Sequence, residues 1–137
     1  MRAADILARL EELDLDPEHY VVHSTASLAL RGVLAEAGDL DVVARGAAWE
    51  GALDLVRSGN ATLDRGVTDQ RVSLADDVEI YDGWLGESAA SVIARAELVD
   101  GVPCAPISDV IAMKERLGRP KDQQHLELIR AYLAAQG

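Results

Sequence analysis

The chain has 137 residues, enough for one domain with a sizeable core, and 49% of them are apolar against 27% charged, the balance of a globular protein. Thirteen basic against 24 acidic side chains leave a formal net charge of −11, so bulk attraction to nucleic acid is not expected, and the single cysteine, Cys104, excludes an internal disulfide. The opening segment MRAADILARLEEL is charged throughout and reads as no signal peptide, no apolar run approaches the ~20 residues of a membrane span, and a cytoplasmic location is expected.

Ile6, Leu7, Leu10 and Leu13 recur at helical spacing and predict a helix over Ala3 to Leu13, which Pro17 then forbids from continuing. Tyr20, Val21 and Val22 form a short β-type run. STASLALRG reads as a loop entering a helix to about Leu34, capped by Ser24 or Thr25, with Gly32 a tolerated weak point. GDLDVVA is a strand opened by Gly38, and Ala47 to Val56 a helix ended by Gly59-Asn60. Thr62-Leu63, Val72 to Leu74 and Val78 to Tyr81 are short strands separated by Gly66, Asp69 and the Asp76-Asp77 pair. Glu87 to Ala96 has helical composition. Asp100-Gly101 lies between two apolar runs, a hairpin signal because both residues accept positive φ. Ser108 is placed to cap a helix through Leu117 that Gly118 stops, and Pro120 to open a last helix with Leu126, Leu128, Ile129, Tyr132 and Leu133. With no repeat, linker or composition shift, residues 1–137 read as a single mixed α/β domain ending in a helical pair.

The most informative stretch is GDLDVV. Side chains alternate along a strand, so Asp39 and Asp41 share one face while Leu40 and Val42 take the other. Two carboxylates this close repel, a cost that a divalent cation removes, and Mg²⁺ takes one or two protein carboxylates plus substrate phosphates. Glu79, sandwiched between Val78 and Ile80, offers a third acid on the polar face of its strand; Asp77, two residues earlier, competes with it. Without a cation, these acids would merely decorate an acidic surface. Upstream, an apolar strand passes through Ser24 and Thr25 into a helix, which aims backbone amides at an anion; an ordinary helix cap would look the same.

In this order these features resemble the nucleotidyltransferase superfamily related to DNA polymerase beta, whose signature is a strand, a Gly-Gly or Gly-Ser turn into a helix, Asp-x-Asp on the next strand and a third acid on another. The matching positions are Ser24-Thr25, Asp39-Leu40-Asp41 and Glu79, and ISDVIAMKERLGRPKDQQHLELI resembles the family's C-terminal segment, with Lys114, Arg119, Lys121 and Asp122 in place. The resemblance spans roughly Tyr20 to Leu133. It implies a nucleotidyltransferase-like mixed sheet flanked by helices. It further implies two Mg²⁺ ions on Asp39, Asp41 and Glu79, nucleotide contacts from Ser24, Thr25, Lys114 and Lys121, and Glu79 as the group that deprotonates an attacking hydroxyl. This chain departs from the pattern at Ser24, where the first glycine is expected. It departs again at Ala35 and Ala37, where many relatives carry Arg and Thr, and at His125, where Asp is common.

Other residues carry weaker signals. His23 closes the first strand and is either an acid/base neighbour of the aspartates or simply hydrogen-bonded there, whereas His19 and His125 read as surface residues. Cys104 reads as a small apolar residue, and no zinc-type spacing, P-loop or nucleophile elbow is present. Lys114, Arg116, Arg119 and Lys121 form the one basic cluster. Arg116 and Arg119 suit a helix C-terminus, and Lys114 lies near the apolar stripe, within reach of a cleft. Trp49 and Trp84 read as packing residues, and Trp84, beside Gly83 and Gly86, is also placed to stack on a base.

Two functions follow as expectations. The first is Mg-dependent transfer of a nucleoside monophosphate from an NTP to an unspecified hydroxyl acceptor. The second is a catalytically degenerate module of the same fold that binds or regulates a protein partner, as in a toxin–antitoxin pair.

Overall fold

The computed structural model describes residues 1–137, which form six helices and nine strands. In chain order these are α1 (Ala3–Leu13), β1 (Tyr20–His23), α2 (Ser24–Leu30), β2 (Leu40–Ala44), α3 (Gly46–Arg57), β3 (Thr62–Arg65), β4 (Gln70–Leu74) and β5 (Val78–Tyr81). Then follow β6 (Gly83–Trp84), β7 (Glu87–Ser88), α4 (Ala89–Ala94), β8 (Glu97–Val99), β9 (Val102–Cys104), α5 (Ile107–Leu117) and α6 (Pro120–Gln136). No helix is long and apolar enough to cross a membrane.

Seven strands make one mixed sheet in the order β3-β4-β5-β2-β1-β9-β8, and β6 pairs with β7 in a separate two-stranded ribbon. Strand β2 runs antiparallel to β1 and parallel to β5. Strands β1 and β2 are buried along their whole length, as their nearly uninterrupted apolar sequences require of strands covered on both faces. Tyr20, Val22, Leu40, Val42, Val78 and Ile80 point to one side and pack against α1, α2 and α3 through Ile6, Leu10, Ala26, Ala48 and Ala52. Val21 and Val43 point to the other side, where α4 covers them with Ala89, Val92 and Ile93. A third cluster, Leu28 with Val110, Leu126 and Ile129, fastens the C-terminal pair α5–α6 to α2. Cys104 is buried in the main core, and burial pushes its thiol up to about 11, leaving a small apolar side chain.

Several boundaries differ from the sequence reading, each for a local reason. Helix α2 stops at Leu30 because Gly32 adopts φ 80°, so the glycine is the end of the helix and not a weak point within it. Helix α5 begins at Ile107 behind Pro106, so Ser108 lies inside the first turn and caps nothing. Within the segment read as one helix, Glu87 and Ser88 pair with Trp84 and Gly83, and the helix starts only at Ala89, where the Ser88 hydroxyl accepts from the Ser91 N–H. Asp100 (φ 50°) and Gly101 (φ 79°) make the expected tight turn between β8 and β9. Gly118 ends α5 in the left-handed conformation, and Pro120 opens α6 one residue after Arg119.

Candidate functional site

The sheet register sets the site. On β1 and β2, His23 pairs with Asp41; on β2 and β5, Asp41 pairs with Glu79; on β5 and β4, Glu79 pairs with Ser73. Directly paired residues share a face, so His23, Asp41, Glu79 and Ser73 form one polar row across four strands. Asp77, the rival acid, is exposed in the turn before β5 at φ 59°. Asp39 precedes β2 by one residue and lines, with Asp41, a pocket of about 270 Å³ beneath α5 and α6.

Asp41 is 9% exposed, and its Oδ1 is buried without a hydrogen-bond partner. Burial first, then the charges of Asp39 and Glu79, push its carboxyl up to about 7. No arginine ties up either aspartate. Glu79 is held differently: the Tyr81 hydroxyl donates to Oε2, and the Arg71 guanidinium lies 3.8 Å from the same atom. Its Oε1 carries no such bond. Asp39 and Asp41 line the pocket and Glu79 is not among the lining residues. The ligand-type atoms that lie within 4.8 Å of one another belong instead to Asp16, Glu18 and His19, in the loop before β1 at the opposite end of that strand.

Ser24 and Thr25 line the pocket, but neither caps α2. The cap is His23, whose Nδ1 accepts from the Ser24 N–H at 2.8 Å. Ser24 itself sits at φ 60°, in the left-handed region where glycine is the usual occupant. The chain thus keeps a glycine-like backbone at this turn with a serine. Holding a non-glycine residue there costs about 1–2 kcal/mol. Ser24→Gly is expected to match or exceed wild-type stability, and Ser24→Val to lose about 1–2 kcal/mol because a β-branched side chain fits this region worst. Denaturant midpoints of the two variants check the ordering.

His23 is 2% exposed and stacks on Trp84 with ring centroids 4.4 Å apart. Burial first, then the Arg95 charge, lowers it to about 4, so near neutrality it is an uncharged ring. Because Nδ1 accepts, the neutral ring carries its proton on Nε2. Trp84 also meets Tyr81 edge-on at 5.1 Å, so the ribbon β6–β7 lays its indole across the end of the polar row. Asp69, which read only as a turn residue, fixes that ribbon. Its Oδ2 accepts from the Gly86 N–H at 3.4 Å, and its Oδ1 lies 2.6 Å from where a Cβ on Gly83 would be. Gly83→Ala is therefore expected to cost about 1–3 kcal/mol through overpacking and to displace Trp84. Near-ultraviolet circular dichroism of the indole bands reads both effects.

On the helical side, Lys114 is 1% exposed and Asp122 fully buried. The Lys114 ammonium lies 3.4 Å from Asp122 Oδ1 and 2.8 Å from His125 Nδ1. Asp122 also accepts from the Arg119 backbone N–H and, at 2.7 Å, from Arg119 Nε, which closes the capping box of α6. The Arg119 hydrogen bonds hold the Asp122 carboxyl down at about 2. Burial lowers Lys114 against the pull of Asp122. Lys114, Arg119, Lys121 and His125 all line the pocket across from Asp39 and Asp41, and Lys121 alone among the three cations has no carboxylate partner. The expectation that His125 is a surface residue is corrected: its ring is half-buried against Lys114. His19 is also half-buried, its Nδ1 facing Arg45 Nε at 3.3 Å.

Strand order, the Ser24 turn, the aspartates and the helical pair thus surround one cleft. No family model and no curated protein matches this sequence. Among solved structures, a Thermotoga maritima protein provisionally described as a nucleotidyltransferase superposes with a TM-score of 0.58 at 20% identity, over 98% of this chain and 96% of that one. JHP933 from Helicobacter pylori aligns at a TM-score of 0.47 and 14% identity, over 82% of this chain and 54% of that one. The chain has a nucleotidyltransferase-like fold.

Proposed function

We propose that the protein is a nucleotidyltransferase that moves a nucleoside monophosphate from an NTP to a hydroxyl acceptor. The observation that carries this reading is Asp41: a nearly buried carboxylate with an orphaned oxygen, beside two further acids, at the floor of a pocket roofed by cations. An isolated protein gains nothing from that arrangement, since burial without a partner costs free energy. It suits a divalent cation and a phosphate chain.

Asp39 and Asp41 would hold Mg²⁺, with Glu79 completing the set for a second ion, and the bound metal would neutralise the triphosphate and orient its α-phosphate. The residues themselves do the remaining work. The Ser24 turn and the start of α2 present backbone and hydroxyl groups to the phosphates, and Lys121 supplies a cation free of internal partners. Lys114 is held rigid by Asp122 and His125, so its charge is preorganised and not recruited during the reaction. The acceptor oxygen bonds to the α-phosphorus as the bridge to the β-phosphate breaks, and pyrophosphate leaves. Glu79 Oε1 takes the hydroxyl proton, with Oε2 anchored by Tyr81.

A non-catalytic binding module is the second reading, and Ala35 and Ala37, standing where many relatives carry Arg and Thr, favour it. Calorimetry with ATP, CTP, GTP and UTP, each with and without Mg²⁺, separates the two. Metal-dependent binding of at least one triphosphate supports transfer; no binding of any of them supports the module.

A further inference from the structure

Six residues other than glycine hold a positive φ: Asp14, Ser24, Asp76, Asp77, Leu85 and Asp100. Four are aspartates, whose short polar side chains tolerate that region by bonding locally, and Ser24 occupies the glycine turn of the site. Leu85 is the one apolar residue among them. It sits at φ 51° and Gly86 at φ 87°, in the two-residue turn that joins β6 to β7. Positive φ at both positions is the type I′ pattern, whose first position favours Asn, Asp or Gly. A residue held in an unfavourable conformation where better ones exist points to a use outside the fold.

The core makes no use of Leu85 either. Neither it nor Leu117 nor Met113 belongs to the three apolar clusters that join the helices to the sheet. Leu85 is 37% and Leu117 40% exposed, and both line, with Met113, the pocket that contains Asp39 and Asp41. The Arg116 guanidinium donates to the Leu85 carbonyl at 3.5 Å, which sets the ribbon tip beside α5, the helix that carries Met113 and Leu117. Trp84 backs this wall. Its indole stacks on the His23 ring and meets Tyr81 edge-on, so its rings are engaged in packing.

The pocket thus combines two chemistries. Its acids and cations suit a metal-bound phosphate chain, and its unclaimed apolar side chains suit a flat group with apolar faces. A nucleotide has both. We propose that Leu85, with Leu117 and Met113, grips the nucleobase and is the residue by which the site distinguishes a nucleoside triphosphate from a bare polyphosphate. This rests on the transfer reading of the same pocket and adds to it the end at which the base lies. Leu85 then gives the ligand a contact at the expense of an easier turn.

The test uses the full chain. Calorimetry reads the binding of each of the four Mg·NTPs and of Mg·tripolyphosphate, and urea midpoints read the stability of the metal-free protein. Leu85→Asn installs a residue that the turn prefers, so its midpoint is expected to equal or exceed that of the wild type. Its affinity for the best-bound NTP is expected to fall roughly tenfold, while its affinity for tripolyphosphate is unchanged. Leu117→Ala keeps a strong helix former at the end of α5 and is expected to show the same ligand-selective loss. Unchanged NTP affinity in both variants overturns the proposal, and so does an equal loss for tripolyphosphate. A lower midpoint in Leu85→Asn assigns the leucine to the fold and overturns it as well. Wild-type protein that binds neither NTP nor tripolyphosphate sinks the transfer reading and the base site with it, whereas binding of both without dependence on Leu85 sinks the base site alone.

Discussion

Replacing Asp41 with Asn is expected to stabilise the metal-free protein above pH 7 and to abolish its metal-dependent nucleotide binding. In the folded chain the Asp41 carboxyl titrates near 7, against an ordinary 3.8 when unfolded. Below pH 3.8 both states hold the proton, and the contribution to stability is fully present. As the pH rises toward and through 7, the unfolded state ionises freely while the folded one must ionise a buried group between two other acids, so stability is lost. The loss is on the order of a few kcal/mol. Asn carries no charge to bury, so thermal unfolding of Asp41→Asn is expected to be nearly flat between pH 5 and pH 8, where the wild-type midpoint falls. The same substitution removes the anionic oxygen that faces the pocket and is expected to weaken Mg·NTP binding roughly 100-fold or more. A variant that lost nucleotide binding while also losing stability at pH 8 would show that Asp41 serves the fold and not the site.

Asp122→Ala carries the largest expected cost in stability, about 3–5 kcal/mol. Its carboxylate is fully buried and answers two cations, Lys114 at 3.4 Å and Arg119 at 2.7 Å. Removing it strands the Lys114 ammonium in a site that is 1% exposed, and it uncaps α6 at its first turn. The double variant Asp122→Ala/Lys114→Met is expected to recover much of the loss, because the stranded charge and not the missing bond is the main penalty. Urea midpoints of the two variants decide this. A single-variant loss under about 1 kcal/mol would mean that water reaches Lys114 after all. Since the Asp122 carboxyl sits near 2 when folded and 3.8 when unfolded, its contribution is present above pH 3.8 and is lost as pH falls through 2.

What could be seen in the sequence was what obeys a period. The alternation in DLDVV and DVEIY placed Asp41 and Glu79 on polar faces, and the register then put them side by side. Lys114 was findable because it lies on the apolar stripe of α5, and the Asp100-Gly101 turn because its conformational demand is local. The residues that escaped depend on contacts that no period announces, some between neighbours and some between distant segments. His23 caps α2 with a ring nitrogen, which no capping preference lists, because the Ser24 turn brings its own N–H back onto the preceding side chain. The ribbon β6–β7 has two residues per strand, too few for any alternation to register. Asp69 matters only because Gly83 lets its carboxylate approach, and His125 only because Lys114 reaches it from another helix. Nor could alternation reveal that Tyr81 and Arg71 hold Glu79 Oε2, since those contacts are made by its own strand and the next.

Mn²⁺ reports directly where a divalent ion and its nucleotide settle, by broadening nearby amide resonances. With Mn·NTP at substoichiometric levels, resonances of Ser24, Leu40, Asp41, Val42 and Lys121 are expected to vanish first, and Asp41→Asn to restore them. Broadening centred on Asp16, Glu18 and His19, with the Asp41 region untouched, would contradict the account.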